Sequence, residues 1–316
     1  MDAGDKSQHH KWLVDEISRL KKEKNALIMA HYYQREEIQE IADFIGDSLA
    51  LARYAATTDA AVIVMCGVHF MGETAKILCP DKTVLVPDAK AGCSLADSCN
   101  AKEFYEFVKA HPGYTVISYV NTSAAVKALT DIVVTSGNAR KIVEKLPENE
   151  KIIFGPDHNL GEYINSVTGR NMLLWKGACH VHDRFSIDKI KEMKDQHPGA
   201  KILVHPECRR PLQLIADKVG STAALLEFAE KDDAKEYIVV TESGILFEMK
   251  KKCPHKLFLA APAEDAECQC NECDFMKLNT LEKVYECLRD GKPEIKIDKE
   301  IAEKAVKPIE RMLEMS

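Results

Sequence analysis

The sequence predicts an α/β protein made of three repeated units of about 80–90 residues each. Three observations carry that expectation. A His-Pro-Gly triplet recurs at His111 and His197, 86 residues apart. Each triplet opens a short apolar run, 114–119 and 200–204, and a related run at 26–30 leads into His31, 88 residues before Tyr119. Before each run lies a charged amphipathic stretch (11–24, 101–110 and 186–196) with helical spacing, whereas the runs themselves have the length and apolar character of buried parallel strands.

The three strands run out into His, Tyr, Asn or Glu. In parallel α/β sheets ligands bind beyond the carboxyl ends of the strands, so three furnished strand ends point to one site served by three units. Further apolar runs complete each unit: 61–65 and 83–86 in the first, 131–134, 151–154 and 172–175 in the second, 236–240 and 256–260 in the third. The expected boundaries are 1–110 for the first unit with its N-terminal helix, 111–196 for the second and 197–298 for the third. A last helix, 299–316, carries Ile301, Ala305, Ile309 and Leu313 at helical spacing, which predicts that it packs on the first unit, with Pro308 as a point of bending.

With 43 basic against 50 acidic residues and a net charge of −7, the chain offers no broad attraction for nucleic acid or an anionic membrane. An anionic ligand must therefore be held by local donors. No apolar stretch approaches the ~18 residues of a membrane span, and the first ten residues lack an apolar signal core, so a cytoplasmic location is expected.

Eleven cysteines in such a chain predict metal binding or plain burial rather than disulfides. Cys66, Cys79, Cys99 and Cys287 lie in apolar or helical patterns and read as buried. Cys268, Cys270 and Cys273 form the one dense cluster and are compatible with a local zinc site completed by Cys253 or His255. The other reading takes one cysteine per unit, Cys93, Cys179 and Cys273, which fall 86 and 94 residues apart. Three thiolates on an iron–sulfur cubane leave one iron without a protein ligand, able to act as a Lewis acid. In the apolar pattern Cys93 follows an earlier strand of its unit than Cys179 and Cys273 do, so the cysteines agree in spacing better than in topology.

Several segments in order resemble the quinolinate synthase family: Ala30-His31-Tyr32-Tyr33-Gln34, Ile41 to Leu49, Tyr119-Val120-Asn121-Thr122, Thr135-Ser136-Gly137-Asn138-Ala139, Gly155 to Gly161, Val204-His205-Pro206-Glu207 and Cys273 to Asn279. The resemblance implies three α/β three-layer domains in pseudo-threefold symmetry around a central [4Fe–4S] cluster, with Cys93, Cys179 and Cys273 at the ligand positions. It also implies condensation of iminoaspartate with dihydroxyacetone phosphate to quinolinate, with loss of phosphate and two waters, in NAD biosynthesis. A functional link to an enzyme that produces iminoaspartate follows from the same likeness. The site positions carried over are His31, Tyr33, Ser48, Tyr119, Asn121, Ser136, His205, Glu207 and Thr222.

Those residue types suit the chemistry. Two carboxylates and a phosphate need many short donors, which Ser48, Ser136, Thr222 and Asn121 offer, although Ser48 and Ser136 read equally well as helix N-caps. Glu207, ionised at neutral pH, is the expected proton acceptor, with Tyr33, Tyr119, His31 and His205 orienting the intermediate or shuttling protons. A redox-sensing cluster protein and a dehydratase acting on another carboxylic acid are the competing readings. A sensor has no need of the furnished strand ends, and an assay for quinolinate separates the dehydratase.

Overall fold

The computed structural model describes residues 3–264 and 271–316. Three four-stranded parallel sheets are built to one plan. In the first, β1 (Ala26–His31), β2 (Phe44–Gly46), β3 (Val62–Cys66) and β4 (Thr83–Leu85) lie in the order β2-β1-β3-β4. In the second, β5 (Thr115–Tyr119), β6 (Ile132–Val134), β7 (Ile152–Gly155) and β8 (Leu173–Leu174) lie in the order β6-β5-β7-β8. The third repeats the order as β10-β9-β11-β12, from β9 (Lys201–Val204), β10 (Lys218–Val219), β11 (Glu236–Val240) and β12 (Leu257–Ala260).

Every strand pair is parallel, so each connection must cross back over a sheet face, and helices such as Ser48–Thr57 and His158–Thr168 make those crossings. From the first strand of each sheet the chain steps to one side, then returns past it to the other. That reversal opens a crevice at the carboxyl ends of the two central strands, the usual place for a ligand in such sheets.

A repeated brace fixes the entry to each second strand. Asp43, Asp131 and Asp217 each accept, through Oδ2, the backbone N–H of Ile28, Val116 and Ile202 at 2.8 Å. Each Asp also returns its own N–H to the same residue's carbonyl at 2.9 Å. Two backbone groups at the start of β1, β5 and β9 are thereby satisfied by one residue fifteen positions on.

By its contacts the chain divides into two compact units. One, Met1–Cys93 with Asp274–Ala302, holds the first sheet. Its core joins Leu13, Ile17 and Leu20 of the N-terminal helix to Ile28, Val64 and Leu85 of the strands and to Leu281, Val284 and Leu288 of the helix Leu281–Asp290. The other, Ser94–Cys273 with Glu303–Ser316, holds the second and third sheets. Phe104, Val116 and Ile153 pack in the core of its second sheet, and Ile190, Ile202, Val204 and Ile238 in that of its third.

The helix Lys299–Met315 runs through Pro308, which is buried with Ala305, Ile309 and Met312. Its end is tied to the second sheet's unit. Ser316 Oγ accepts from Asn138 Nδ2 at 2.7 Å, and the Met315 carbonyl accepts from Lys145 at 2.5 Å. The expectation of packing on the first unit did not include these bonds. The strands β2 and β10 were also not anticipated. At three and two residues on a sheet edge, they are too short for an apolar pattern to announce them.

Candidate active site

The candidate residues occupy equivalent places in the three repeats. His31, Tyr119 and His205 stand at the ends of β1, β5 and β9; Tyr33, Asn121 and Glu207 follow two residues later; Ser48, Ser136 and Thr222 lie after the second strands. In each set the spacing is 88 and then 86 residues. The position after the second strand keeps a hydroxyl in every repeat, whereas the position two residues beyond the first strand changes its chemistry from Tyr33 to Asn121 to Glu207.

In the first unit, the backbone N–H of Tyr33 donates to His31 Nδ1 at 3.2 Å, and the two rings meet edge to face at 4.4 Å. The bond fixes the tautomer, since an accepting Nδ1 leaves the proton of the neutral ring on Nε2. The third repeat does the same, with Glu207 N–H donating to His205 Nδ1 at 3.4 Å. With that tautomer His205 Nε2 donates to Ser136 Oγ, 3.2 Å away.

Ser48 and Ser136 are not N-caps. Asp47 caps the helix Ser48–Thr57 by accepting the Ala50 N–H, and Ser136 sits in the turn before Ala139–Lys145. Ser221, not Thr222, caps the helix Thr222–Lys231, so the Thr222 hydroxyl is spared that task. The Oδ1 atom of Asn121 is buried without a protein partner among the described residues, which suits it to a donor from a ligand.

Glu207 is the centre of a buried polar group. The Tyr119 hydroxyl donates to its Oε1, and His182 Nδ1 lies 2.8 Å from its Oε2. All three side chains are buried. His182 Nε2 in turn meets Thr241 Oγ1 at 2.9 Å, and the His182 ring stacks on His205 at 4.6 Å. Burial pushes the Glu207 carboxyl up, but the His182 and His205 imidazoles and the Tyr119 hydroxyl outweigh it and hold the group down to about 2. Glu207 is thus ionised at neutral pH despite its burial.

Sequence reasoning passed over His182. Its signal was the spacing from Cys179, Cys-x-x-His, on the short helix His180–Asp183. Cys179 Sγ is 3.3 Å from His182 Nδ1, and ligand atoms of Cys179, His182 and Glu207 lie within 4.8 Å of one another, close enough to hold a metal ion. Asp157, also given no role from sequence, accepts the Cys179 N–H at 3.2 Å while capping His158–Thr168 through the Leu160 N–H. Burial and the nearby Glu207 push its carboxyl well up. Glu242, at the matching place after β11, accepts the Cys273 N–H at 3.2 Å.

The cysteines agree in topology as well as spacing, which corrects the sequence reading. Cys93, Cys179 and Cys273 each lie in an irregular segment after the fourth strand of their own sheet, β4, β8 and β12. With β2 and β10 both unrecognised, the first and third units each showed one apolar run fewer than the second, which hid the common position. The glycine before Cys179 is required by a close approach, for a Cβ on Gly177 would come within 2.7 Å of the Pro156 carbonyl. Cys66, Cys79, Cys99, Cys208, Cys253 and Cys287 are buried, so the three loop cysteines are the partly exposed ones among the described residues. Cys268 and Cys270 lie outside the described residues.

Among the described residues no helix is long and apolar enough to cross a membrane. The sequence pattern of the quinolinate synthetase A protein family matches residues 15–314. The quinolinate synthase of Chloroherpeton thalassium is 55% identical over 304 residues, covering 96% of this chain and 94% of that one. That of Thermosynechococcus vestitus is also 55% identical, over 96% and 95% of the two chains. The quinolinate synthase of Cyanophora paradoxa is 53% identical over 98% and 93%. Matched over residues 15–314, and with its strand-end residues and loop cysteines at matching places in the three repeats, the chain belongs to the quinolinate synthase family.

Proposed function

We propose that the strand-end residues of the three repeats jointly serve the condensation of iminoaspartate with dihydroxyacetone phosphate, releasing phosphate and two waters as quinolinate forms. The observation that carries this reading is the buried contact of Tyr119, Glu207 and His182, an ionised carboxylate held between a hydroxyl and an imidazole. Each of the three repeats contributes one sheet and its strand-end loops.

The family is iron–sulfur dependent, and the residues present suit such a group. Three partly exposed cysteines sit at matching loop positions, and the backbone N–H groups of two of them are held by buried carboxylates. Cys93, Cys179 and Cys273 would hold a [4Fe–4S] cluster. When bound, such a cluster supplies an iron without a protein ligand, which acts as a Lewis acid toward a substrate oxygen.

The chain's own residues do the rest. Glu207 is the proton acceptor, reached through the Tyr119 hydroxyl that already donates to it and steadied by His182. His205 and Ser136 form a donor pair for an oxyanion, and His31 with Tyr33 orients the intermediate. Asn121 binds through its buried amide oxygen, while Ser48 and Thr222 bring hydroxyls to carboxylate and phosphate oxygens. A place in the cytoplasm, beside an enzyme that supplies iminoaspartate, is part of the same proposal and suits small anionic substrates.

The test is an anaerobic assay on iron- and sulfide-loaded protein. Quinolinate formed from iminoaspartate and dihydroxyacetone phosphate, with phosphate released in equal amount, supports the reading. A loaded protein that makes no quinolinate overturns it.

A further inference from the structure

Six residues after each of Tyr33, Asn121 and Glu207 comes a buried side chain that grips the loop carrying it. Gln39 Nε2 donates to the carbonyls of Tyr32 at 3.1 Å and Gln34 at 2.9 Å. Lys127 Nζ donates to the carbonyls of Val120, at 2.8 Å, and Thr122. Gln213 Nε2 donates to the carbonyls of Pro206 at 2.9 Å and Cys208 at 2.7 Å. In all three cases the two carbonyls are those immediately before and after the candidate site residue. Gln39, Lys127 and Gln213 are 1%, 0% and 6% exposed.

The chemistry explains why two residue types serve one position. A loop leaving a buried strand carries carbonyls that neither sheet nor water satisfies, and each needs a donor. A carboxamide NH2 offers two N–H bonds and an ammonium three, so either can bridge two carbonyls, whereas an apolar side chain of the same length can bridge neither. Lysine is almost never fully buried unless its charge is met, and here two carbonyl dipoles meet it. Fixing the carbonyls at both flanks of one residue fixes both its peptide planes, and hence where its Cα–Cβ bond points.

We infer that Gln39, Lys127 and Gln213 are positioning residues, a thrice-repeated clamp that sets the direction of Tyr33, Asn121 and Glu207. The clamp itself is a matter of geometry; its effect on turnover rests on the function proposed above. What the clamp requires is two N–H donors at each position, not a particular charge.

Lys127→Gln and Lys127→Met separate these requirements in the full-length, cluster-loaded protein. Lys127→Met, which fills the space without donating, is expected to lower kcat by roughly 10–100-fold, the scale of a misplaced reacting group, with a smaller change in KM. It should also speed backbone hydrogen exchange in residues 119–123 by about tenfold or more, the scale on which a locally opened loop differs from a closed one. Lys127→Gln, supplying the donor that the other repeats use, should restore both to within about threefold of wild type on the same scale. If Lys127→Met does not fold, Lys127→Gln decides, together with Gln213→Lys, which exchanges the donor in the opposite sense. Equal loss of loop protection in folded Lys127→Gln and Lys127→Met, or wild-type protection and kcat in Lys127→Met, overturns the clamp. The exchange readout needs no turnover, so an inactive wild type would count against the proposed reaction and leave the clamp to be judged on exchange alone.

Discussion

The Tyr119 hydroxyl donates to the Glu207 carboxylate, joining the end of β5 to the loop after β9 through two buried side chains. Glu207→Gln keeps the size and the hydrogen-bonding shape but removes the charge. Turnover should fall by roughly 10²-fold or more, the usual scale for loss of a general base, while the visible spectrum of the cluster stays that of the wild type. Tyr119→Phe should lower turnover as well, and the double variant should lose less than the two single losses combined, because the side chains act as a pair. Steady-state quinolinate assays on all three variants measure this, and full additivity would uncouple the two residues.

Thiol reactivity separates the cysteines. Burial pushes the Cys66, Cys99 and Cys287 thiols up, the last two to about 12. The thiolate is the nucleophile, so these should resist alkylation at pH 8 in folded, cluster-free protein, while the partly exposed Cys93, Cys179 and Cys273 react first. Timed iodoacetamide labelling with peptide mapping gives the order. Early labelling of Cys66 in folded protein would contradict the packing described here.

Acid stability has an identifiable contributor in Asp232. Its hydrogen bond from Lys201 pulls its carboxyl down; burial opposes this, and bonds from the Ala234 N–H and the Tyr237 hydroxyl help hold it at about 2. In the unfolded chain an Asp titrates near ~3.9. The folded state therefore prefers the ionised form, and the resulting stability is complete above pH ~4 and lost as pH falls through about 2. The melting temperature of wild type should exceed that of Asp232→Asn by an amount that shrinks from pH 4 to pH 2. A gap independent of pH would remove Asp232 from the account.

The sequence made most of this legible where chemistry repeats in plain view. The strands ending at His31 and Tyr119, and the one preceding His205, are apolar, of ordinary length and preceded by amphipathic helices, so pattern alone locates them. β2 and β10 escape notice because Phe44–Gly46 and Lys218–Val219 are edge strands held by pairing and by the Asp43 and Asp217 braces rather than by a long apolar run. Missing both strands hid the common place of the three cysteines after the fourth strand of each sheet. His182 has only its Cys-x-x-His spacing from Cys179 to mark it, since its meaning comes from Glu207, 25 residues away in sequence and 2.8 Å away in space. The clamp was hidden for a different reason. Gln39, Lys127 and Gln213 differ as letters, and only the paired carbonyls reveal that they do one thing.

The central claim is that the repeats supply one cysteine each to a single cluster on which the proposed reaction depends. Iron and sulfide counts after anaerobic reconstitution test it most directly. Wild type should carry about four of each per chain, and Cys93→Ala, Cys179→Ala and Cys273→Ala should each fail to hold a cluster, while Cys66→Ala and Cys287→Ala keep it. A full iron and sulfide content in Cys93→Ala would contradict the claim.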